Sequence, residues 1–399
     1  MKKLTIDPIN SILTRGVQEV IVSKELENKL RAGKKLRVYL GIDPTGTRLH
    51  LGHAIALRKL QALQDLGHHV IFLIGSFTAL IGDTSDKDSE RQPLDQSQID
   101  ENFKTYKSQA EKVLDFSKVE VVYNGDWLGK LGLKELIELA NKFTVQQMIE
   151  REMYQRRLST GKPIGLHEFL YPLMQGYDSV ALDVDLEIGG NDQLFNMLAG
   201  RTLLKAIKNK EKHVMTVQLL EGTDGRKMSK TNNNVINITA PANEQYGQIM
   251  SMKDELISQY FTLCTDLSLS EIADINNQIK AGENPRDFKM RLGREIVKMY
   301  HGEIEANEAE QEFIKIFQKH DKPTEIEEFS LKEEKLNICD LLSLTKLASS
   351  KSDARRLVDG GGVKIDDIKV ENIKDEIVIS STPRLLQVGK RKFLKIKRV

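Results

Sequence analysis

Short apolar runs alternate with helical patterns through the first half of the chain. Val38-Tyr39-Leu40-Gly41-Ile42, Val70 to Ile74, Val119 to Tyr123 and Val214 to Leu219 read as strands, because β-branched residues dominate them and turn residues bound them. Ala181 to Ile188 alternates and is a fifth candidate. Between the first two runs, Leu57, Leu60 and Leu63 fall at helical spacing, and Gly67 marks a stop after Leu66. Strand, helix and strand in this order predict a parallel sheet with crossover helices, in which ligands bind beyond the carboxyl ends of the strands.

The stretch from about 125 to 180 is mostly helical and reads as an insertion between two halves of that sheet. The organisation this predicts is an α/β catalytic domain over 1–234, a helical domain over 235–325, an acidic and poorly periodic linker over 326–334, and a small α+β module over 335–399. No repeat of 20 to 50 residues is visible, which disfavours a solenoid.

Composition narrows the class. Hydrophobic residues make up 40% and charged residues 29% of the 399 positions, which is globular and excludes disorder throughout. Cys264 and Cys339 form no CxxC pair, so neither a disulfide framework nor a cysteine zinc cluster is written, and a reducing, cytoplasmic setting is expected. The first residues meet Asp7 and Pro8 before any apolar core, unlike a signal peptide, and the densest apolar run is far too short to span a membrane. The net charge of +1 hides an asymmetry. Residues 335–399 carry 15 Lys and Arg against 8 Asp and Glu, and the last 17 residues hold seven basic side chains and no acid. A solvated surface explains most Lys-rich stretches, but confinement to one end points to a polyanion such as nucleic acid.

Immediately after the first strand comes Asp43-Pro44-Thr45-Gly46-Thr47-Arg48-Leu49-His50-Leu51-Gly52-His53. Two imidazoles three apart on a first helical turn face one side, where open amides and the helix dipole favour an anion, which reads as a phosphate site. A lone histidine is more often a partly buried structural ring, and a zinc reading lacks a third ligand at suitable spacing. Neither Walker A nor GxGxxG occurs, so ordinary kinases and dehydrogenases are disfavoured. Beyond the fourth strand, Asp224-Gly225-Arg226-Lys227-Met228-Ser229-Lys230-Thr231 describes a basic loop able to close over a polyphosphate.

His50-Leu51-Gly52-His53 and Lys227-Met228-Ser229-Lys230-Thr231 resemble, in order and position, the two signature motifs of class I aminoacyl-tRNA synthetases. The resemblance narrows to the tyrosyl enzymes through Tyr39 leading into Gly41-Ile42-Asp43-Pro44-Thr45, Leu80-Ile81-Gly82-Asp83, Tyr171 through Gln175-Gly176-Tyr177-Asp178, and Gly189-Gly190-Asn191-Asp192-Gln193. Ser352 to Leu357 followed by Gly361-Gly362-Val363 resembles the small RNA-binding module that bacterial members carry at the C-terminus. Thr231 stands where the family often has serine, and Phe195 close to where it often has tryptophan.

The resemblance implies a Rossmann-like parallel-sheet catalytic domain with a helical insertion, an all-α domain and a small α+β RNA-binding domain. It implies tyrosine activation by ATP with magnesium, transfer to tRNA, and a homodimer joined near the inserted region, with no dedicated metal site. Thr45, His50, His53, Lys227, Lys230, Lys87 and Arg91 would neutralise charge on the departing pyrophosphate. Tyr39 and Asp178 match hydroxyl-reading positions; Tyr171, Gln175 and Asp83 match those holding the ammonium; Asp192 and Gln193 match residues near the ribose and the amino acid. Gly41, Asp43, Gly52, Met228 and Ser229 would also meet ATP, and Arg355 and Arg356 would meet RNA. Core packing explains polar Tyr171, Gln175, Asp178 and Asp83 inside apolar segments poorly. Two alternatives stand: the tryptophanyl enzyme, which shares both motifs, and a synthetase-like RNA-binding protein that has lost activation.

Overall fold

The computed structural model describes residues 7–44, 48–83, 95–228, 234–317, 326–389 and 392–398. The chain divides into two compact units, 1–302 and 303–399.

The first unit is built on a six-stranded sheet: β1 (Val17–Ile21), β2 (Arg37–Ile42), β3 (His69–Ile74), β4 (Val119–Tyr123), β5 (Leu186–Gly190) and β6 (His213–Val217), in the order β1-β6-β5-β2-β3-β4. All pairings are parallel except that of β1 with β6. After His69, every residue of β3 is buried, as expected for a central parallel strand covered on both faces. The helix Leu51–Asp65 crosses from β2 to β3 and turns at Gly67, whose φ of +76° suits glycine. The chain reverses its direction of sheet growth between β2 and β5, which creates the crevice where α/β sheets bind ligands.

Three local expectations need correction. Ala181 and Leu182 do not start a strand; they close the helix Tyr171–Leu182, which Asp183 ends in a left-handed conformation, φ +48°, and β5 begins only at Leu186. The β1 edge strand was not foreseen, because Gln18 and Glu19 interrupt its apolar pattern and its partner, β6, lies about two hundred residues away. The fourth run starts at His213 and stops at Val217, short of Leu219.

The insertion is helical, as read from sequence: Gly125–Leu128, Leu133–Ala140, Val145–Ile149, Glu152–Ser159 and the helix ending at Leu182. Arg157 and Glu168 brace it as a buried bidentate ion pair, with contacts of 2.6 and 2.8 Å. The helices that follow β6 do not break away at residue 235. Ile249, Tyr260, Phe261, Leu292 and Ile296 pack in one core with Val38, Phe72 and Met215, so packing is continuous to Gly302.

The second unit holds a five-stranded sheet of β7 (Glu328–Leu331), β9 (Val363–Ile365), β10 (Ile368–Lys369), β12 (Arg384–Val388) and β13 (Lys392–Arg398), ordered β10-β9-β12-β13-β7. A smaller pair joins β8 (Lys335–Asn337) to β11 (Glu376–Val378). The expected linker over 326–334 therefore contains a strand: β7 runs parallel to β13, with Leu331 buried in the core. Its acidic flanks hide a four-residue apolar alternation. The helix Lys351–Asp359 is capped by Ser350, which accepts from the Asp353 amide. Arg355 and Arg356 are exposed on that helix. Among the described residues no helix is long and apolar enough to cross a membrane.

Candidate active site

A cavity of about 400 Å³ opens at the β2–β5 crevice. Tyr39, Gly41, Asp43, His50, Gly52, His53, Asp83, Tyr171, Gln175, Asp178, Asp192, Gln193, Lys227 and Met228 all line it, so residues far apart in sequence share one chamber. Thr45, Lys87, Arg91, Ser229 and Lys230 lie outside the described residues. Arg355 and Arg356 belong to the second unit.

The blind end is polar and buried. Asp178 is 1% exposed; Trp127 Nε1 donates to its Oδ1 at 2.7 Å and Asn124 Nδ2 to its Oδ2 at 3.2 Å. Burial pushes the Asp178 carboxyl well up from its ordinary range, and these two donors oppose that push. The Tyr39 hydroxyl is 2.9 Å from Ser179 Oγ, and burial likewise raises the phenol. Lys212 Nζ donates to Ser179 Oγ at 2.8 Å and to the Glu187 carboxylate, and Glu187 Oε1 accepts from Gln175 Nε2 at 3.0 Å. Tyr39 thus meets Ser179, with the Glu187 carboxylate also acting on its phenol, and has no direct hydrogen bond to Asp178 among those resolved.

Toward the middle, Tyr171 donates its hydroxyl proton to Asp43 Oδ2 at 2.8 Å, and Thr78 donates to Asp43 Oδ1 at 2.7 Å. Asp43, expected beside ATP, therefore spends both carboxylate oxygens on neighbouring side chains and positions Tyr171. Gln193 Nε2 donates to Asp83 Oδ2 at 2.7 Å, which joins two of the expected amino-acid contacts.

At the mouth, His50 caps the helix Leu51–Asp65 in an extended conformation, and its ring lies 3.9 Å, centroid to centroid, from that of His53. The His50 amide donates to His53 Nδ1 at 3.3 Å. A Cβ on Gly52 would stand 3.1 Å from the His50 ring and 3.7 Å from the Met228 sulfur. Glycine there lets the ring fold back over the helix start, and the same close approach brings the two motifs together. The basic loop is pinned at its base by buried Asn234, which donates to Asp224 Oδ1 at 2.7 Å and to the Lys227 carbonyl at 3.2 Å. Asn234 and Arg226 hold the Asp224 carboxyl well below its usual range.

Sequence reasoning missed Asn124, Trp127, Thr78, Ser179, Glu187, Lys212 and Asn234. Two signals were present: Trp127 is the only tryptophan, and Glu187 is an acid inside an apolar strand. Among the described residues no three His, Cys, Asp or Glu side chains group to hold a metal ion.

Residues 31–318 match the family described as tRNA synthetases class I (W and Y), and residues 318–396 match the Tyrosine--tRNA ligase SYY-like C-terminal domain. A Tyrosine--tRNA ligase from Mannheimia succiniciproducens is 46% identical, covering 96% of this chain and 97% of the relative. One from Thermotoga maritima is also 46% identical, with 96% of each chain covered. A solved tyrosyl-tRNA synthetase from Archaeoglobus fulgidus, complexed with L-tyrosine, superimposes with a TM-score of 0.61 at 21% identity, covering 76% of this chain and 98% of that one, which supports the fold. With a match across most of the chain and relatives at this identity over nearly its whole length, the chain belongs to the class I tRNA synthetases of the tryptophan and tyrosine group.

Proposed function

We propose that this protein is a tyrosine–tRNA ligase. The observation that carries the choice of tyrosine is Asp178, an acceptor fixed by Trp127 and Asn124 at the blind end of the cavity that holds the paired imidazoles at its mouth. Phenylalanine would leave the polar groups there unpaired, a cost that tyrosine avoids. The C-terminal domain match and the full-length relatives also favour tyrosine over tryptophan, and the imidazoles and Lys227 around one chamber favour an active enzyme over a decayed one.

Chemically, the tyrosine carboxylate is already ionised at neutral pH and needs no general base. Its oxygen bonds to the α-phosphorus of ATP, the bond from that phosphorus to the bridging oxygen breaks, and pyrophosphate leaves with the electron pair. The protein supplies position and charge. His50, His53 and Lys227, which line one cavity, would neutralise the phosphates, and Thr45, Lys230, Lys87 and Arg91 are assigned to the same charge from the sequence motifs alone. Gly41, Gly52, Asp192 and Met228 line the cavity where the nucleotide would lie, and Ser229 is assigned to it from the sequence motif alone. Asp83, Tyr171, Gln175 and Gln193 orient the amino group and carboxylate. Magnesium is expected to arrive on the triphosphate and supply further charge neutralisation. A ribose hydroxyl at the tRNA 3′ end then attacks the tyrosyl carbonyl and releases AMP.

Arg355 and Arg356 with the basic β13 strand suit the tRNA backbone, whose binding should weaken as salt rises. Leu133, Ile137, Val145, Leu158 and Leu166, all exposed in the inserted region, suit a homodimer interface. The free, buried cysteines suit the cytoplasm. The test is exchange of pyrophosphate into ATP with each of the twenty amino acids. Exchange driven by tyrosine alone is expected; exchange driven by tryptophan, or by none, would replace this reading with one of its rivals.

A further inference from the structure

Behind the tyrosine end of the cavity sits a fully buried ion pair that the chemistry above does not use. Lys212 is 0% exposed, Glu187 2% and Ser179 0%. Replacing such a pair by apolar side chains of similar volume is often neutral or stabilising, so fold stability alone gives little reason for it. Besides the contact of Glu187 with Gln175, this pair aims an ammonium at Ser179. The approach is built in: a Cβ on Gly200 would stand 2.5 Å from both Lys212 Nζ and Ser179 Oγ. Glycine at this interior position of the helix Leu194–Lys208 costs about 1 kcal/mol against alanine, and it clears the seat of the ammonium.

The direction of the hydrogen bonds follows from donor and acceptor counts. Ser179 Oγ has two resolved partners, Lys212 Nζ at 2.8 Å and the Tyr39 hydroxyl at 2.9 Å. An ammonium only donates, so it occupies a lone pair of Ser179, and the serine proton is left with the Tyr39 oxygen as its acceptor. The proton of Tyr39 is then directed away from Ser179; the Glu187 carboxylate, which also acts on the phenol, is engaged by Lys212 and Gln175, and Tyr39 lines the cavity. The ammonium also polarises the serine hydroxyl, which strengthens it as a donor.

We propose that Lys212, seated on Glu187 and acting through Ser179, is a positioning residue that turns the Tyr39 hydroxyl proton toward the substrate phenol and so sharpens the choice of tyrosine over phenylalanine. The inference rests on the tyrosine reading above.

The test compares pyrophosphate exchange driven by tyrosine and by phenylalanine in the full-length wild type, Lys212→Met, Ser179→Ala and Tyr39→Phe, alone and combined. Lys212→Met should lower kcat/KM for tyrosine about tenfold, equivalent to about 1.4 kcal/mol, while phenylalanine changes less than twofold. Ser179→Ala, which keeps the ion pair, should lower tyrosine about fivefold, again with phenylalanine spared. Neither change should reduce tyrosine use further once Tyr39 is phenylalanine. Equal losses for both amino acids, or losses that persist on the Tyr39→Phe background, would overturn the proposal. If Lys212→Met does not fold, Ser179→Ala decides alone, and an unchanged tyrosine-to-phenylalanine ratio rejects the relay. A wild type inert toward tyrosine removes the parent reading and this one together; an active wild type with indifferent variants removes only this one.

Discussion

At the blind end of the cavity, Asp178, Tyr39, Ser179, Glu187 and Lys212 are buried on strands, on a helix and beside a strand end, and each is held by neighbouring side chains. At the mouth, Lys227 is exposed at the base of a basic loop, and the His50–His53 pair stands on the first turn of a helix. On the proposed function, the difference follows from two tasks. Rejecting an amino acid that lacks one hydroxyl requires polar groups that lose their partner in a water-poor pocket, which demands burial and fixed geometry. Neutralising a triphosphate works through charge, which acts over longer distances and tolerates surface segments.

The largest expected effect concerns phosphate neutralisation alone. Lys230→Ala should slow adenylate formation about 1,000-fold, the scale seen when a donor to developing charge is removed, while tyrosine affinity changes little. Single-turnover adenylate formation beside equilibrium tyrosine binding measures both. Losses of equal size would show that Lys230 supports the pocket and not the phosphates.

The next effect breaks the blind end. Asp178→Ala should lower kcat/KM for tyrosine about 100-fold, mostly through KM, and leave KM for ATP within a few-fold. It also strips Trp127 Nε1 of its acceptor and leaves Asn124 Nδ2 only the Thr78 hydroxyl, so the melting temperature should drop, by the equivalent of about 1–3 kcal/mol. A tyrosine KM that barely moves would reassign the carboxylate to structure.

Removing residues 326–399 asks whether both ends stand without the C-terminal unit. Activation should stay within twofold, while tRNA charging should fall about 30-fold at physiological salt, in line with lost phosphate contacts. The cut belongs before β7, because cutting at 335 would leave a strand whose partner, β13, is gone. Normal charging by the truncated protein would reject the RNA role of the module.

The same contrast separates what was legible in the sequence from what was not. β2, β3 and β4 announced themselves through β-branched runs, and His50, His53, Lys227 and Met228 sit in compact motifs whose spacing carries chemistry. The supports of the blind end had no such local signature. Lys212 and Glu187 are 25 positions apart, and Asn124 and Asp178 are 54 apart, so only the folded sheet brings each pair together. A lysine between a helix and a strand reads as a solvated end, yet Lys212 is among the largest fully buried side chains. β1 and β7 were lost for a related reason: short strands with polar interruptions become visible only through distant partners.

The smallest expected effect tests whether the two ends are independent. Thr78, 2% exposed, donates to Asp43 Oδ1 at 2.7 Å and accepts from Asn124 Nδ2 at 3.1 Å. It links the Tyr171–Asp43 contact in the middle of the cavity to the Asn124–Asp178 contact at its blind end. Thr78→Val removes the hydroxyl at nearly constant volume, and Asp43 and Asn124 each keep one of these partners, so the cost should be about three- to fivefold in kcat/KM for tyrosine. The informative quantity is the double-mutant coupling with Asp178→Ala. A non-additive pair means that Thr78 acts through the blind end, as the bond to Asn124 implies. Additive losses mean that Thr78 acts through Asp43 and Tyr171 alone, and the hydroxyl-reading end would then be a self-contained device anchored by Trp127 and Asn124.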